Sequence, residues 1–321
     1  MSKTIYSVGC ASGTDALYLS LMSLNIKKDD EVIVPGLTYI STGLSVLLNN
    51  NKLVFADIDN NTGLISIDSV KKKITNKTKV VIPVNLYGQK VDLQKLRKAV
   101  GKNIYIVEDS AQSHFAFMGN NKKVTSNKIA DASCYSFYPA KNLGAFGDGG
   151  LITTNNKKQY NKLLALRNLG SVKKYDHFLI GLNSRLDTIQ AVVLKNKLKT
   201  ILYLNQKRRE IAHYYDKNLC HISEVKLTKT NEGSSRHLYV IRVRNRNKLI
   251  KHLSKKGIAC IIHYPYSLNK LKAFRNRIKK VKLKNSEMWV KECLSLPIHP
   301  NMKIAQAAKV VTEIKKYFKY N

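Results

Sequence analysis

Three segments carry residue types that could together do amine chemistry: a lysine in a glycine-bearing loop, an acid at the end of an apolar run, and a turn of small residues. The lysine is Lys141, in Ser136-Phe137-Tyr138-Pro139-Ala140-Lys141-Asn142-Leu143-Gly144, a run that leads into Gly147-Asp148-Gly149-Gly150. Phe137, Tyr138, Leu143 and Phe146 surround it in sequence, and partial desolvation lowers an ammonium pKa and frees the amine to form an imine. Upstream, Glu108 and Asp109 follow an apolar strand, at the edge where open α/β sheets bind ligands. An acid there can pair with a protonated pyridine nitrogen and keep the ring able to accept electrons from a carbanion; it can equally cap a following helix. Ser12-Gly13-Thr14-Asp15-Ala16-Leu17 opens a helix, whose free N–H groups and positive dipole end make a phosphate seat, although a plain N-cap has the same composition. Pro35-Gly36-Leu37-Thr38-Tyr39 places an aromatic ring in a loop, to stack on a flat cofactor or to lie on a surface turn.

The elements that must position these groups are those of an α/β protein with a mainly parallel sheet. Apolar runs at Glu31–Val34, Lys52–Phe55, Val80–Val84 and Ile104–Val107, with further candidates near Ser133–Phe137 and Gly150–Thr154, alternate with helical spacing at Ser66–Ile74 and Leu93–Val100. Asp187–Tyr215 reads as one long helix, with Ala191, Leu194, Leu198 and Ile201 along one side. The pattern then restarts with a strand at Leu238–Val243, a helix at Lys248–Lys255, a strand at Ile258–Ile262 and helices near the C-terminus. That restart predicts a large domain over residues 1–205 and a smaller one over 206–321.

A chain of 321 residues with 44% hydrophobic content can bury its own core. No apolar run approaches the roughly 20 residues of a membrane span, and Met1–Cys10 lacks the plan of a signal peptide, so a cytoplasmic protein without a membrane partner is expected. Five widely spaced cysteines without a C-x-x-C pair support neither a disulfide framework nor a metal site. The formal charge of +35 would suit nucleic acid. Its lysines are spread along the whole chain without a recognition motif, however, which predicts a basic surface that attracts anionic substrates and no specific nucleic-acid partner.

Taken in order, the segments resemble the fold-type I pyridoxal-phosphate enzymes, specifically the DegT/DnrJ/StrS family of sugar aminotransferases. The resemblance rests on Ser12–Leu17, Asn85-Leu86-Tyr87-Gly88-Gln89, Glu108–His114, Ser136–Gly150, Gly181-Leu182-Asn183-Ser184-Arg185-Leu186-Asp187, His263-Tyr264-Pro265 and Leu294-Ser295-Leu296-Pro297. It implies a large domain with a mainly parallel, seven-stranded type of sheet and a smaller α+β C-terminal domain. It makes Lys141 the Schiff-base lysine and proton carrier, sets Asp109 on the pyridine nitrogen, Gln112 by the ring oxygen and Tyr39 on the ring face, and gives the phosphate to Gly13, Thr14 and Ser136. Asn183 would serve the neighbouring subunit's cofactor, which implies a homodimer with shared active sites. Arg185, His263 and Tyr264 match positions lining the sugar pocket; their plainer roles are a salt-bridge partner, a satisfied histidine and packing. The implied reaction passes the amino group of L-glutamate to a nucleotide-linked keto-sugar, at carbon 3 by likeness to the UDP-2-acetamido-2-deoxy-3-oxo-glucuronate and dTDP-3-oxo-hexose branches, for amino-sugar and surface-polysaccharide biosynthesis. Lysine at position 141 separates the chain from dehydratase relatives with histidine there.

Two departures go with the resemblance. Family members carry a few dozen residues before the phosphate turn, whereas Ser12 already begins it here, so either the start lies further upstream or the chain is shortened, and a shortened, inactive or regulatory relative is the competing expectation. Phe115 and Phe117 also stand where the family has glycine and a polar residue, which predicts a repacked loop.

Overall fold

β-branched apolar runs flanked by turn residues become strands, and the amphipathic stretches between them become the helices that cover those strands. In a computed structural model, which describes residues 4–117 and 129–319, β1 (Tyr6–Cys10), α1 (Gly13–Ser23), β2 (Glu31–Pro35), α2 (Ile40–Leu48), β3 (Lys52–Ala56), α3 (Ile67–Lys71), β4 (Thr78–Val81), α4 (Leu93–Val100) and β5 (Tyr105–Asp109) alternate. β6 (Ala132–Ser136) and β7 (Gly150–Thr154) complete a 7-stranded sheet of order β1-β7-β6-β5-β4-β2-β3. β2 to β6 are parallel, and β7 runs antiparallel to both β1 and β6. Every residue of β2 is buried, as a strand covered on both faces requires.

α5 (Lys157–Leu166) and a hairpin of β8 (Ser171–Lys173) and β9 (Asp176–His177) follow. The long helix expected over Asp187–Tyr215 is two: α6 (Thr188–Lys197) and α7 (Ile201–Leu219). Lys199 and Thr200 donate to the carbonyls three residues back, at 3.2 Å each, so the α ladder tightens and breaks there. The break lets Leu194 and Ile201 still share one cluster with Phe137 and Leu143, beneath the Lys141 loop.

β10 (Val225–Leu227), β11 (Tyr239–Val243), α8 (Arg246–Lys255), α9 (Lys284–Glu292), β12 (Cys293–Leu296) and α10 (Ile304–Phe318) close the chain around a 3-stranded antiparallel sheet of order β10-β11-β12. Its core draws on residues from Ile211 to Ile314. The strand expected at Ile258–Ile262 is only a single bridge between Ile261 and Ser295, because the run leaves the sheet at His263-Tyr264-Pro265, where proline has no N–H for a ladder. Leu37, Ile58 and Val84 pack with Val240, Trp289 and Cys293 in a cluster that joins the two sheets.

Phe115 takes φ 58°, a left-handed conformation that glycine adopts freely and a bulky residue does not. The Phe117 amide bonds the Gly233 carbonyl at 3.0 Å, so this loop is packed against the 231–237 segment. The five cysteines are free thiols, and among the described residues no helix is long and apolar enough to cross a membrane.

Candidate active site

A cavity of about 470 Å³ opens at the C-terminal ends of the parallel strands, where α1, the loop after β2, the end of β5, the loop after β6 and the 237–238 and 263–264 segments converge. Asp109 and Lys141 both line it. Asp109 is the last residue of β5 and is 5% exposed; its Oδ2 accepts from Thr42 Oγ1 at 2.9 Å and its Oδ1 from the Ala111 amide at 3.1 Å. Burial pushes its pKa above the ordinary carboxylate value, against the lowering by those two hydrogen bonds and the nearby Lys141. The adjacent Glu108 behaves oppositely. Burial would raise it too, but the buried Lys90 ammonium, Ser133 and Asn85 all bond its carboxylate and hold its pKa below the ordinary value. Of the two acids in sequence, therefore, one is a satisfied structural ion pair and the other is a desolvated carboxylate facing the cavity near Lys141.

Lys141 sits in the loop between β6 and β7, its amide bonded to the Tyr138 carbonyl at 2.8 Å. Burial lowers its amine pKa, partly countered by Asp109. Of the four apolar residues near it in sequence, Phe137 and Leu143 are buried under the loop, whereas Tyr138 and Phe146 are exposed. Half of the apolar shell inferred from sequence thus faces outward.

Gly13 and Thr14 form the first turn of α1, behind the N-cap Ser12, and share the cavity wall with Ser136 at the end of β6. A β-carbon on Gly13 would lie 2.5 Å from that of Ser136, so only glycine lets the helix start approach the strand end this closely. Ser12 satisfies the Asp15 amide at 3.1 Å. The amides of Gly13 and Thr14 precede it in this first turn, which is the arrangement that receives an anion.

Tyr39, 57% exposed, lies at the cavity with its ring 5.9 Å from that of Tyr264. Gln112 is held at both ends: its Oε1 accepts from the Tyr87 amide at 2.7 Å and its Nε2 donates to the Tyr264 hydroxyl at 2.8 Å. His263 also faces the cavity, with Nδ1 2.9 Å from Ser295 Oγ of β12. Asn183 and Arg185 are not in the cavity wall of this chain. They are exposed on either side of the buried Ser184, which anchors the segment to α1 through Asp15 at 2.6 Å, and Arg185 donates to Asn168 at 2.9 Å.

Thr42, Asp148 and His237 line the cavity without having been picked from sequence. Thr42 lies in the first turn of α2, four residues after Thr38, and the two hydroxyls lie 3.0 Å apart. His237 gave no local signal, because its partner Asn142 is 95 residues away in the chain.

The profile of the DegT/DnrJ/EryC1/StrS aminotransferase family matches residues 2–315. The dTDP-3-amino-3,6-dideoxy-alpha-D-galactopyranose transaminase of Aneurinibacillus thermoaerophilus is 40% identical over 317 residues, 97% of this chain and 85% of that protein. The UDP-N-acetyl-3-dehydro-alpha-D-glucosamine 3-aminotransferase of Acidithiobacillus ferrooxidans is 36% identical over 319 residues, 98% and 85% of the two chains. Among solved structures, S. venezuelae DesV in complex with a ketimine intermediate superposes with a TM-score of 0.94 at 34% identity, covering 99% of this chain and 86% of that one. A lysine and a buried acid meeting at the strand ends, on a fold shared along almost its whole length, leave one placement: the chain belongs to the DegT/DnrJ/EryC1/StrS aminotransferase family.

Proposed function

We propose that this chain is a pyridoxal-phosphate-dependent aminotransferase that moves the amino group of L-glutamate to carbon 3 of a UDP- or dTDP-linked keto-sugar, for amino-sugar and surface-polysaccharide biosynthesis in the cytoplasm. The observation that carries it is the juxtaposition of the Lys141 amine and the Asp109 carboxylate in one cavity with the open N-terminal turn of α1. These groups fit the cofactor on their own chemistry: a buried acid facing the cavity, an amine whose pKa burial lowers, and a glycine turn too close to Ser136 for any side chain. Pyridoxal phosphate supplies an aldehyde that captures amines and a cationic ring that draws electrons from the reacting carbon.

The remaining chemistry belongs to the chain. Gly13, Thr14 and Ser136 would hold the phosphate; Asp109, oriented by Thr42, would meet the ring nitrogen; Tyr39 would cover the ring face and Gln112 would border its oxygen. Lys141 would bind the cofactor's aldehyde and, as a free amine, would serve as the base that moves the proton at the reacting carbon. His263 and Tyr264 face the sugar. In the functional assembly Asn183 and Arg185 reach the neighbouring protomer's cavity, with the Arg185 guanidinium suited to an anionic group of the sugar nucleotide. The separate core of residues from Ile211 onward supports a small domain beginning near residue 206, set against the large cofactor-binding one.

Adding L-glutamate to the cofactor-loaded protein should bleach its visible absorption band, and a UDP- or dTDP-linked 3-keto-sugar should restore it. A band that glutamate leaves untouched, or that no keto-sugar of the panel restores, rejects this activity.

The homodimer has a second, independent support. Ile180, Tyr175 and Ile189 are 91%, 83% and 73% exposed, an apolar display concentrated around the hairpin, the Asn183 segment and α6. Tyr175→Glu combined with Ile180→Glu is expected to give a monomer in sedimentation and to lower turnover about 10²-fold, as removal of positioning groups does. A monomer of undiminished activity would refute the shared site.

A further inference from the structure

Thr38 and Thr42 stand side by side in the cavity wall, on either side of Tyr39, the N-cap of α2. Both are buried, at 3% and 0% exposed, so their hydroxyls are held away from bulk water. The Thr42 hydroxyl donates to Asp109 Oδ2 at 2.9 Å, and its oxygen lies 3.0 Å from that of Thr38. A hydroxyl has one proton to give. Thr42 gives its proton to the carboxylate, so in the second contact it can only accept, and Thr38 must be the donor. The order of the three groups is thereby fixed, Thr38 to Thr42 to Asp109. On the other side of the carboxylate, Oδ1 accepts from the Ala111 amide at 3.1 Å. The neighbouring acid is held differently: Glu108 is paired with the Lys90 ammonium, which cancels its charge. Neutral donors favour an ionised carboxylate and leave its full charge to act on whatever enters the cavity.

We infer that Thr38 is a positioning residue for Asp109 that acts at one remove: its hydroxyl polarises that of Thr42, and the two form a directed relay that favours the ionised carboxylate and fixes its Oδ2 without neutralising it. The use of that charge rests on reading Asp109 as the partner of a cationic ring; the relay itself does not. Hydrogen bonds in series strengthen one another in a medium from which water is excluded, so losing the far hydroxyl weakens the near one. Burial works against the relay, raising the Asp109 pKa. The other titratable groups coupled to this carboxyl are Lys141, Glu108, Cys134 and Tyr264, and changes at Thr38 or Thr42 leave all four in place.

The test is a ¹³C titration of the Asp109 carboxyl in the cofactor-free protein, with the resonance assigned by its loss in Asp109→Asn. Thr42→Val, which keeps the shape and removes the donor, should raise the midpoint by about one unit, whereas Thr42→Ser, which keeps the hydroxyl, should stay near wild type. Thr38→Val should raise it by about 0.3 unit, the share that one hydrogen bond lends to the next. The double variant decides between a relay and two separate effects: since Thr38 acts only through Thr42, Thr38→Val should add nothing to Thr42→Val. A midpoint that Thr38→Val leaves unmoved, or moves equally in both backgrounds, overturns the relay, as does a serine variant that titrates like the valine one. Because the titration uses no cofactor, a protein that bound no pyridoxal phosphate would sink the aminotransferase reading and still report on the two threonines.

Discussion

Lys141→Ala protein mixed with pyridoxal phosphate is expected to show no visible absorption band of its own, and its transamination should fall by about 10⁴-fold or more. Two losses combine. The variant lacks the amine that links the cofactor to the chain, and it lacks the base that moves the proton, a role worth about 10²–10⁴ in rate by itself. The fold should survive, because the loop is fixed by residues other than Lys141: Asn142 bonds Asn205 and Ser235, and Phe137 and Leu143 pack beneath it. In the wild type, band formation should reach its midpoint below the ordinary lysine value of 10.5, since burial lowers the amine pKa and leaves more free amine at a given pH. An unchanged band in the alanine variant, or a wild-type midpoint at that of free lysine, refutes the assignment.

How much of this site could be read from the chain depends on the range of the interaction. Gly13, Asp109 and Lys141 each sit beside a local signal, a helix start, a strand end and a glycine-bearing loop, and α/β topology brings strand ends to one edge of the sheet. The parallel sheet was legible for the same reason, in β-branched runs such as Glu31–Val34 separated by helical spacing. What was not legible is set by long-range pairing. The two acids that end β5 look alike in sequence, and only the burial of Lys90 against Glu108 separates the structural one from the one facing the cavity. The apolar stripe expected across Ala191, Leu194, Leu198 and Ile201 holds at the last three, fails at the exposed Ala191 and is wrong in continuity, because a hydrophobic stripe can persist across a tightened turn. His237 depends on Asn142 and α7, contacts that no local spacing encodes.

Asp109→Asn is expected to act in opposite directions on stability and on catalysis. In the cofactor-free protein the Asp109 carboxyl has its pKa raised by burial, so the folded state holds the proton more tightly than the unfolded state does. By linkage, stability then falls as pH rises from the unfolded value, 3.8, through the raised folded value, and the penalty stays in full above it. Asparagine never ionises and can still accept from Thr42 or from the Ala111 amide, so the variant without cofactor should melt higher at pH 7, by roughly 2 °C, and lose that advantage near pH 4. Saturating pyridoxal phosphate should reverse the order. A carboxylate gains a cationic ring nitrogen as partner and an amide does not, so ligand binding should raise the melting temperature of wild type more than that of the variant. Turnover should fall about 10³-fold, the scale on which removing one preorganised electrostatic contact acts, because an unpaired ring nitrogen no longer keeps the ring electron-poor. A variant that melts lower without cofactor would contradict the desolvated carboxylate. One that keeps wild-type turnover would remove Asp109 from the chemistry altogether, whatever its stability.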